Sequence, residues 1–284
     1  MKSSLIRLPI ALLFVVPVFV AQGAVWMLAR RWGKLPVALL SMFIACVLGW
    51  AAYALYTRWV ERRSASEFGR TGGIKELATG VLIGAALFGA SVGVLALFGH
   101  YRITGTRELS AVIVPLCLAL GAGTIEEILM RGVLFRLLEE SLGTWIALAI
   151  SAAVFGLLHL ANPGATMLAA AAIAFEAGIL LGAAYVLTRR LWLAIGIHAA
   201  WNFTQSGVFG VPVSGVALTG FFVSETSGPA WLSGGAFGIE ASVIAFVVCT
   251  AAGAALLVLA QRRGKFIAPH WRRNGAAPVH VSAA

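Results

Sequence analysis

The chain has 284 residues, of which 60% are hydrophobic and only 11% are charged. This composition excludes an ordinary soluble globular protein and predicts an all-α polytopic membrane helix bundle that lies in the lipid bilayer. The formal net charge is +10, but the basic residues lie at the ends of apolar segments and in short loops, where membrane orientation accounts for them. No basic patch is interleaved with aromatic residues, so we expect no nucleic-acid partner.

Eight apolar segments predict about eight transmembrane helices. The first could be a secretory signal that ends near residues 21–23, but its apolar stretch continues to Leu28 and further segments follow, which favours a retained helix. We expect helices 1–3 in residues 1–108, a core with helices 4–7 in residues 109–205, and a loop, the last helix and a basic cytoplasmic tail in residues 206–284. The apolar segments are 8–28, 37–56, 77–98, 109–138, 145–160, 166–187, 192–203 with some extension, and 239–260.

The distribution of basic residues on alternating sides of the predicted membrane orients the chain. Most of the 21 Lys and Arg residues fall on one side, among them Arg62, Arg63, Arg189 and Arg190. Because basic residues concentrate in cytoplasmic loops, this distribution predicts that both termini lie in the cytoplasm. The Gly-rich segment 206–238 would then be an external lid or a re-entrant piece, and the sequence leaves both alternatives open.

The fourth apolar segment carries Glu126, Glu127 and Arg131 at a depth where charge is costly. Each unpaired charge inside a membrane costs about 2.5–3.5 kcal/mol on insertion scales. Glu127 and Arg131 are one helical turn apart, so we expect them to form an ion pair. Glu126 points roughly 100° away from Glu127 and lacks a partner on its own helix, which makes it the first candidate for chemistry. Arg131 could instead hold Glu126 or a substrate carboxylate.

Two further polar pairs lie in later helices. They are Phe155 with His159 and His198 with Asn202, and the spacing of four residues puts each pair on one helix face. The helical rise places Glu126 and the three polar residues of these pairs roughly 12–24 Å from the cytoplasmic turns, in one layer of the membrane. We expect Phe155 to pack one turn from His159, where it would shape the pocket and exclude water.

Groups of this kind can activate a water molecule. The desolvated carboxylate of Glu126 and the imidazole of His159 could deprotonate water for attack on a carbonyl carbon. His198 and Asn202 could then donate hydrogen bonds to the developing oxyanion. Alternatively, His159, His198 and a carboxylate could bind a divalent metal such as zinc, although an H-E-x-x-H motif is absent. Each histidine could equally be a hydrogen-bonding link between helices. Glu176 is an isolated acid inside the membrane that could support the site or contact the substrate.

Taken together and in this order, these residues resemble the three motifs of the CPBP family of intramembrane proteases, which includes CAAX-processing and bacteriocin-immunity proteins. The resemblance covers about residues 109–205. The segment 234–240 is also similar to one near the last helix of some bacterial members. The motifs are Glu126-Glu127-x-x-x-Arg131, Phe155-x-x-x-His159, and His198-x-x-x-Asn202 preceded by Leu191-Trp192.

The resemblance implies an eight-helix bundle around an intramembrane polar cavity, and peptide-bond hydrolysis by an endopeptidase. It matches Glu126 and His159 to the water-activating pair, and His198 and Asn202 to the oxyanion-stabilising pair. The remaining motif positions, which include Glu127, are expected to shape the site. The substrate would be a membrane-anchored peptide or protein, and the location would be the inner membrane of a bacterium.

The sequence leaves three alternatives to consider beside the resemblance: metal dependence, a non-catalytic role and transport. Members of the family have been described both as metal-dependent and as glutamate-dependent without metal, so the cofactor is open. A non-catalytic bacteriocin-immunity or scaffold membrane protein would use the same cavity to bind a partner. A transporter would also place Glu and His in the membrane, but an inverted repeat and paired broken helices are both absent from the sequence.

Overall fold

The computed structural model describes residues 4–273, with the backbone alone for residues 26–31. Within that part of the chain, seven helices are long and apolar enough to cross a membrane. The prediction of an all-α polytopic membrane bundle is confirmed. The predicted cytoplasmic placement of the two chain ends concerns residues 1–3 and 274–284, which lie outside the described residues.

Eight principal helices and two strands account for the architecture, and each predicted apolar segment coincides with one helix. Single-turn helices also occur at Ser66–Phe68, Ala230–Ser233, Ile239–Ala241 and His270–Arg272. The principal elements are α1 (Ser4–Trp32), α2 (Lys34–Glu61), α3 (Gly73–Leu97), β1 (Tyr101–Thr106), α4 (Leu109–Leu142), α5 (Thr144–Ala161), α6 (Met167–Thr188), α7 (Trp192–Phe203), β2 (Phe222–Thr226) and α8 (Val243–Arg262).

Helix α7 lies at the centre of the bundle. It is the shortest of the eight helices, with 12 residues, and a π-helical turn continues it to Val208. Every residue from Leu193 to Trp201 is buried. The helix packs most extensively against α3 and next against α4. Because α7 is surrounded by other helices, it places its polar side chains in the interior of the protein.

Glycines permit the close contact between α3 and α7. A Cβ atom on Gly80 would lie 2.4 Å from the carbonyl oxygen of Leu193, and one on Gly196 would lie 2.5 Å from the carbonyl oxygen of Leu77. These distances leave no space for a methyl group. Small residues therefore let the two backbones touch, as they commonly do between membrane helices, and they fix α7 against its neighbour.

Strands β1 and β2 form a two-stranded antiparallel sheet that the sequence analysis did not predict. The pairing joins the connection after α3 to the Gly-rich segment 206–238. The hydroxyl groups of Tyr101 and Ser224 both donate to the carbonyl oxygen of Phe209, at 3.2 and 2.6 Å. The Gly-rich segment is thus a folded layer at the ends of the helices, tied in place through its own strand.

Arginines pair with buried carboxylates at the other end of the bundle. Glu61 accepts from Arg7 at 3.0 Å and from Arg136 at 2.8 Å. Glu139 accepts from Arg189. Buried charges that are paired and hydrogen-bonded avoid most of the cost of desolvation. These ion pairs connect α1, α2, α4 and the turn after α6, and they allow α4 to continue past its predicted end at residue 138 to Leu142.

Candidate active site

A cavity of about 60 Å³ lies among α4, α5, α6, α7 and the segment before α8. Its lining includes Glu126 from α4, His159 from the last turn of α5, and His198 and Asn202 from α7. The structure therefore brings these four predicted site residues to one space. Glu176 of α6 also lines the cavity.

Glu127 and Arg131 lie behind the cavity, and they form the ion pair that their spacing predicts. Nη1 of Arg131 donates to Oε1 of Glu127 at 2.8 Å. Nη2 donates to the carbonyl oxygens of Ala177 and Gly178, at 3.0 and 3.1 Å. Both carbonyls belong to a π-helical part of α6, Ala174–Ile179, where the wider turn disturbs the regular hydrogen-bond ladder.

Arg131 is only 1% exposed in its side chain. Since both of its terminal nitrogens already donate to protein oxygens, they are not available to a substrate carboxylate. The structure thus favours a structural role for Arg131 over the substrate-binding alternative raised by the sequence.

His198 lies between the two carboxylates of α4. Its Nδ1 atom is 2.9 Å from Oε1 of Glu127, and its Nε2 atom is 3.8 Å from Oε2 of Glu126. A carboxylate accepts hydrogen bonds, so Glu127 fixes the ring with the hydrogen on Nδ1 and with Nε2 toward Glu126 and the cavity. The sequence analysis missed this role of Glu127, because the spacing of residues within α4 contains no information about α7.

His159 has a defined tautomer in its neutral form. Its Nδ1 atom is 2.8 Å from the carbonyl oxygen of Phe155. A carbonyl can only accept, so Nδ1 carries the hydrogen and Nε2 keeps a lone pair. The Phe155 ring packs edge-to-face against His159, with centroids 4.7 Å apart, and against His198 at 6.1 Å. The guanidinium of Arg131 lies 4.8 Å from the same ring, so Phe155 separates the buried ion pair from the cavity.

The described side chains form no ready-made metal site. Within residues 4–273, no group of three or more His, Cys, Asp or Glu side chains is placed to hold a metal ion, whereas a catalytic zinc normally needs three protein ligands. Nδ1 of His198 faces a carboxylate and Nδ1 of His159 faces a carbonyl, so each ring keeps Nε2 for the cavity. The metal-dependent alternative therefore has these two ring nitrogens but no grouped third ligand among the described residues.

Ser214 and Glu240 also line the cavity, although the sequence analysis did not propose them as site residues. The backbone N–H of Ser214 and its hydroxyl both donate to Oε1 of Glu240, the hydroxyl at 3.0 Å. Burial raises the pKa of Glu240 to about 7. Two sequence features could have pointed to Glu240: it is an isolated acid at the start of the last apolar segment, 239–260, and it ends the segment 234–240 that is similar to one in some CPBP members.

Comparison with known proteins adds one positive finding. Residues 108–204 match the family model described as type II CAAX prenyl endopeptidase Rce1-like. The matched residues run from the start of α4 to the end of α7. The match agrees with the resemblance of the three motifs to the CPBP family, and it includes all five cavity-lining motif residues on α4, α5 and α7. Neither the comparison with curated proteins nor the comparison with solved structures gives a match.

Proposed function

We propose that the protein is an intramembrane endopeptidase of the CAAX-processing type that hydrolyses a peptide bond in a membrane-associated substrate. The observation that carries the proposal is the single cavity lined by Glu126, His159, His198 and Asn202. The match of residues 108–204 to the Rce1-like family model supports a peptidase. The seven helices of the described residues that are long and apolar enough to cross a membrane support a membrane-associated substrate.

Glu126 would act as the general base. Its side chain is 24% exposed, so it can reach a water molecule in the cavity, whereas Glu127 is fully buried behind it. His159 would orient the same water through the lone pair on Nε2. The water oxygen attacks the carbonyl carbon of the scissile bond, and its proton passes to Glu126. When the C–N bond breaks, Glu126 returns the proton to the leaving amine.

His198 and Asn202 would stabilise the tetrahedral intermediate. Nε2 of His198 faces the cavity because Glu127 holds Nδ1. With a hydrogen on Nε2 as well, the ring donates to the oxyanion, and the Asn202 amide donates from the next turn of the same helix face. One such donor contributes about 2.7–4 kcal/mol to the transition state in well-studied hydrolases.

A cleavage assay with a matched pair of Glu→Gln variants tests the proposal. The purified protein in lipid nanodiscs is incubated with membrane-anchored peptides, both prenylated and unprenylated. We expect Glu126→Gln to reduce the cleavage rate roughly 100- to 10,000-fold, the usual contribution of a general base. Glu225→Gln is the control, because Glu225 is exposed in a surface ion pair with Arg102. A chelator should leave the wild-type rate unchanged.

The same assay separates the peptidase from the non-catalytic alternative. Wild-type proteolysis by a correctly folded Glu126→Gln variant would show that the assigned roles are wrong. An immunity or scaffold protein would bind its partner through the cavity but would cleave none of the peptides.

A further inference from the structure

A second pair of acids lies in the cavity wall, apart from the proposed catalytic groups. Glu176 comes from the π-helical part of α6, and Glu240 comes from the single-turn helix before α8. Their side chains are almost fully buried, with residue exposures of 3% and 2%. Oε2 of Glu176 is buried without any hydrogen-bond partner.

This pair differs from the other buried acids, which the protein matches with arginines. Among the described residues, neither Glu176 nor Glu240 forms an ion pair with a basic side chain, and the donors to Glu240 from Ser214 are neutral. A buried carboxylate without a positive partner is costly. The buried acids that do have arginine partners are Glu61, Glu67, Glu127 and Glu139.

The cavity therefore offers acceptor oxygens and little positive charge. Arg131 is the nearby guanidinium, but its terminal nitrogens are bound to Glu127 and to two carbonyls of α6. Three acids, Glu126, Glu176 and Glu240, line the cavity. Because the dielectric constant of a protein interior is lower than that of water, a positive group beside two acids is attracted there more strongly than it would be in water.

We propose that Glu176 and Glu240 bind a cationic side chain of the substrate, lysine or arginine, close to the scissile bond. This inference rests on the proposed function and assigns a substrate class to it. The cation would donate to the unpartnered Oε2 of Glu176 and lie beside Glu240, whose carboxylate Ser214 holds in place. The same wall would repel a substrate carboxylate that approached it.

A binding assay tests the proposal independently of catalysis. The protein with Glu126→Gln, which would not cleave, is mixed with membrane-anchored peptides that carry lysine, arginine, norleucine or glutamine at one position near the scissile bond. We expect lysine and arginine peptides to bind about 10-fold or more tightly than the norleucine peptide. Adding Glu176→Gln and Glu240→Gln should abolish this preference, whereas adding Glu225→Gln should preserve it.

Three results would overturn the cation site: equal affinities for lysine and norleucine peptides, no detectable binding of any peptide, or a preference that survives both substitutions in the wall. Thermal unfolding of each variant verifies that it is folded. The variant Ser214→Ala removes a hydrogen bond to Glu240 without removing a charge, so it should weaken the preference for lysine and arginine only partly. If wild-type protein cleaves no peptide while the preference is present, the proposed function fails and the cation site stands. If cleavage occurs without the preference, the cation site fails and the proposed function stands.

Discussion

Nδ1 of His198 lies 2.9 Å from Oε1 of Glu127, and that same oxygen accepts the hydrogen bond from Arg131 at 2.8 Å. One fully buried carboxylate therefore links α4 to α7 and sets the direction in which the imidazole faces the cavity. Glu127 acts through His198, so it is a positioning residue in the proposed reaction.

Glu127→Gln should impair both stability and cleavage. The substitution leaves the buried guanidinium of Arg131 without its negative partner, and the loss of one member of a buried ion pair typically costs about 3–5 kcal/mol. It also weakens the hold on His198. Thermal unfolding and cleavage are measured in parallel. Glu126→Gln provides the comparison, since it should reduce cleavage while leaving the unfolding temperature close to that of the wild type. Unchanged stability in Glu127→Gln would contradict the role of this ion pair.

Gly80→Ala should separate α3 from α7. The added methyl would overlap the carbonyl oxygen of Leu193, and overpacking of this kind costs about 1–3 kcal/mol. Because α7 carries His198 and Asn202, we also expect reduced cleavage. Gly89→Ala on the same helix is the matched control, as a Cβ there has no atom within 4 Å. Denaturation and activity measurements on the two variants distinguish the helix contact from a general effect of replacing glycine.

The titration of Glu240 should make stability depend on pH. Burial raises the pKa of this carboxyl from 4.5 to about 7, so the folded protein holds the proton more tightly than the unfolded chain does. The stability that this group contributes is fully present below pH 4.5 and is lost as the pH rises through about 7. Unfolding temperatures measured from pH 4 to pH 8 should fall less steeply in Glu240→Gln than in the wild type, while Glu176 is unchanged in both. Parallel profiles would refute this assignment.

The distribution of basic residues predicts the orientation of the loops. With Cys46, Cys117 and Cys249 replaced by serine, a single cysteine introduced at Thr226 should react with a membrane-impermeant reagent added to whole cells. A cysteine at Arg263 should react only after the membrane is permeabilised, because the basic residues Arg262, Arg263 and Lys265 predict a cytoplasmic location for this end of α8. The opposite labelling pattern would invert the proposed topology.

The apolar segments were sufficient to locate the helices, because a bilayer requires long apolar stretches whatever their tertiary contacts. The sixth segment, predicted at 166–187, forms Met167–Thr188. Helix α4 extends to Leu142, past its predicted end at residue 138, because Glu139, which looks like a loop residue in an apolar count, has an arginine partner from another element. The motif spacing likewise predicted the pairing of Glu127 with Arg131.

Contacts between distant parts of the chain could not be predicted in this way. Strand β1 pairs with β2 across more than a hundred residues, and neither strand is long or regular enough to indicate its partner. The hydrogen bond between His198 and Glu127, and the presence of Ser214 and Glu240 in the cavity, depend on how the helices pack. Periodicity within one helix does not determine that packing.

Ser214 and Glu240 lie beyond residue 204, where the Rce1-like match ends, yet they complete the cavity. The residues proposed to break the peptide bond lie within the matched residues 108–204. Glu240, one of the two acids proposed to bind the substrate cation, lies in a separate stretch of the chain. A hybrid that exchanged residues 209–262 with those of a relative would keep the hydrolytic centre and acquire a new choice of peptide.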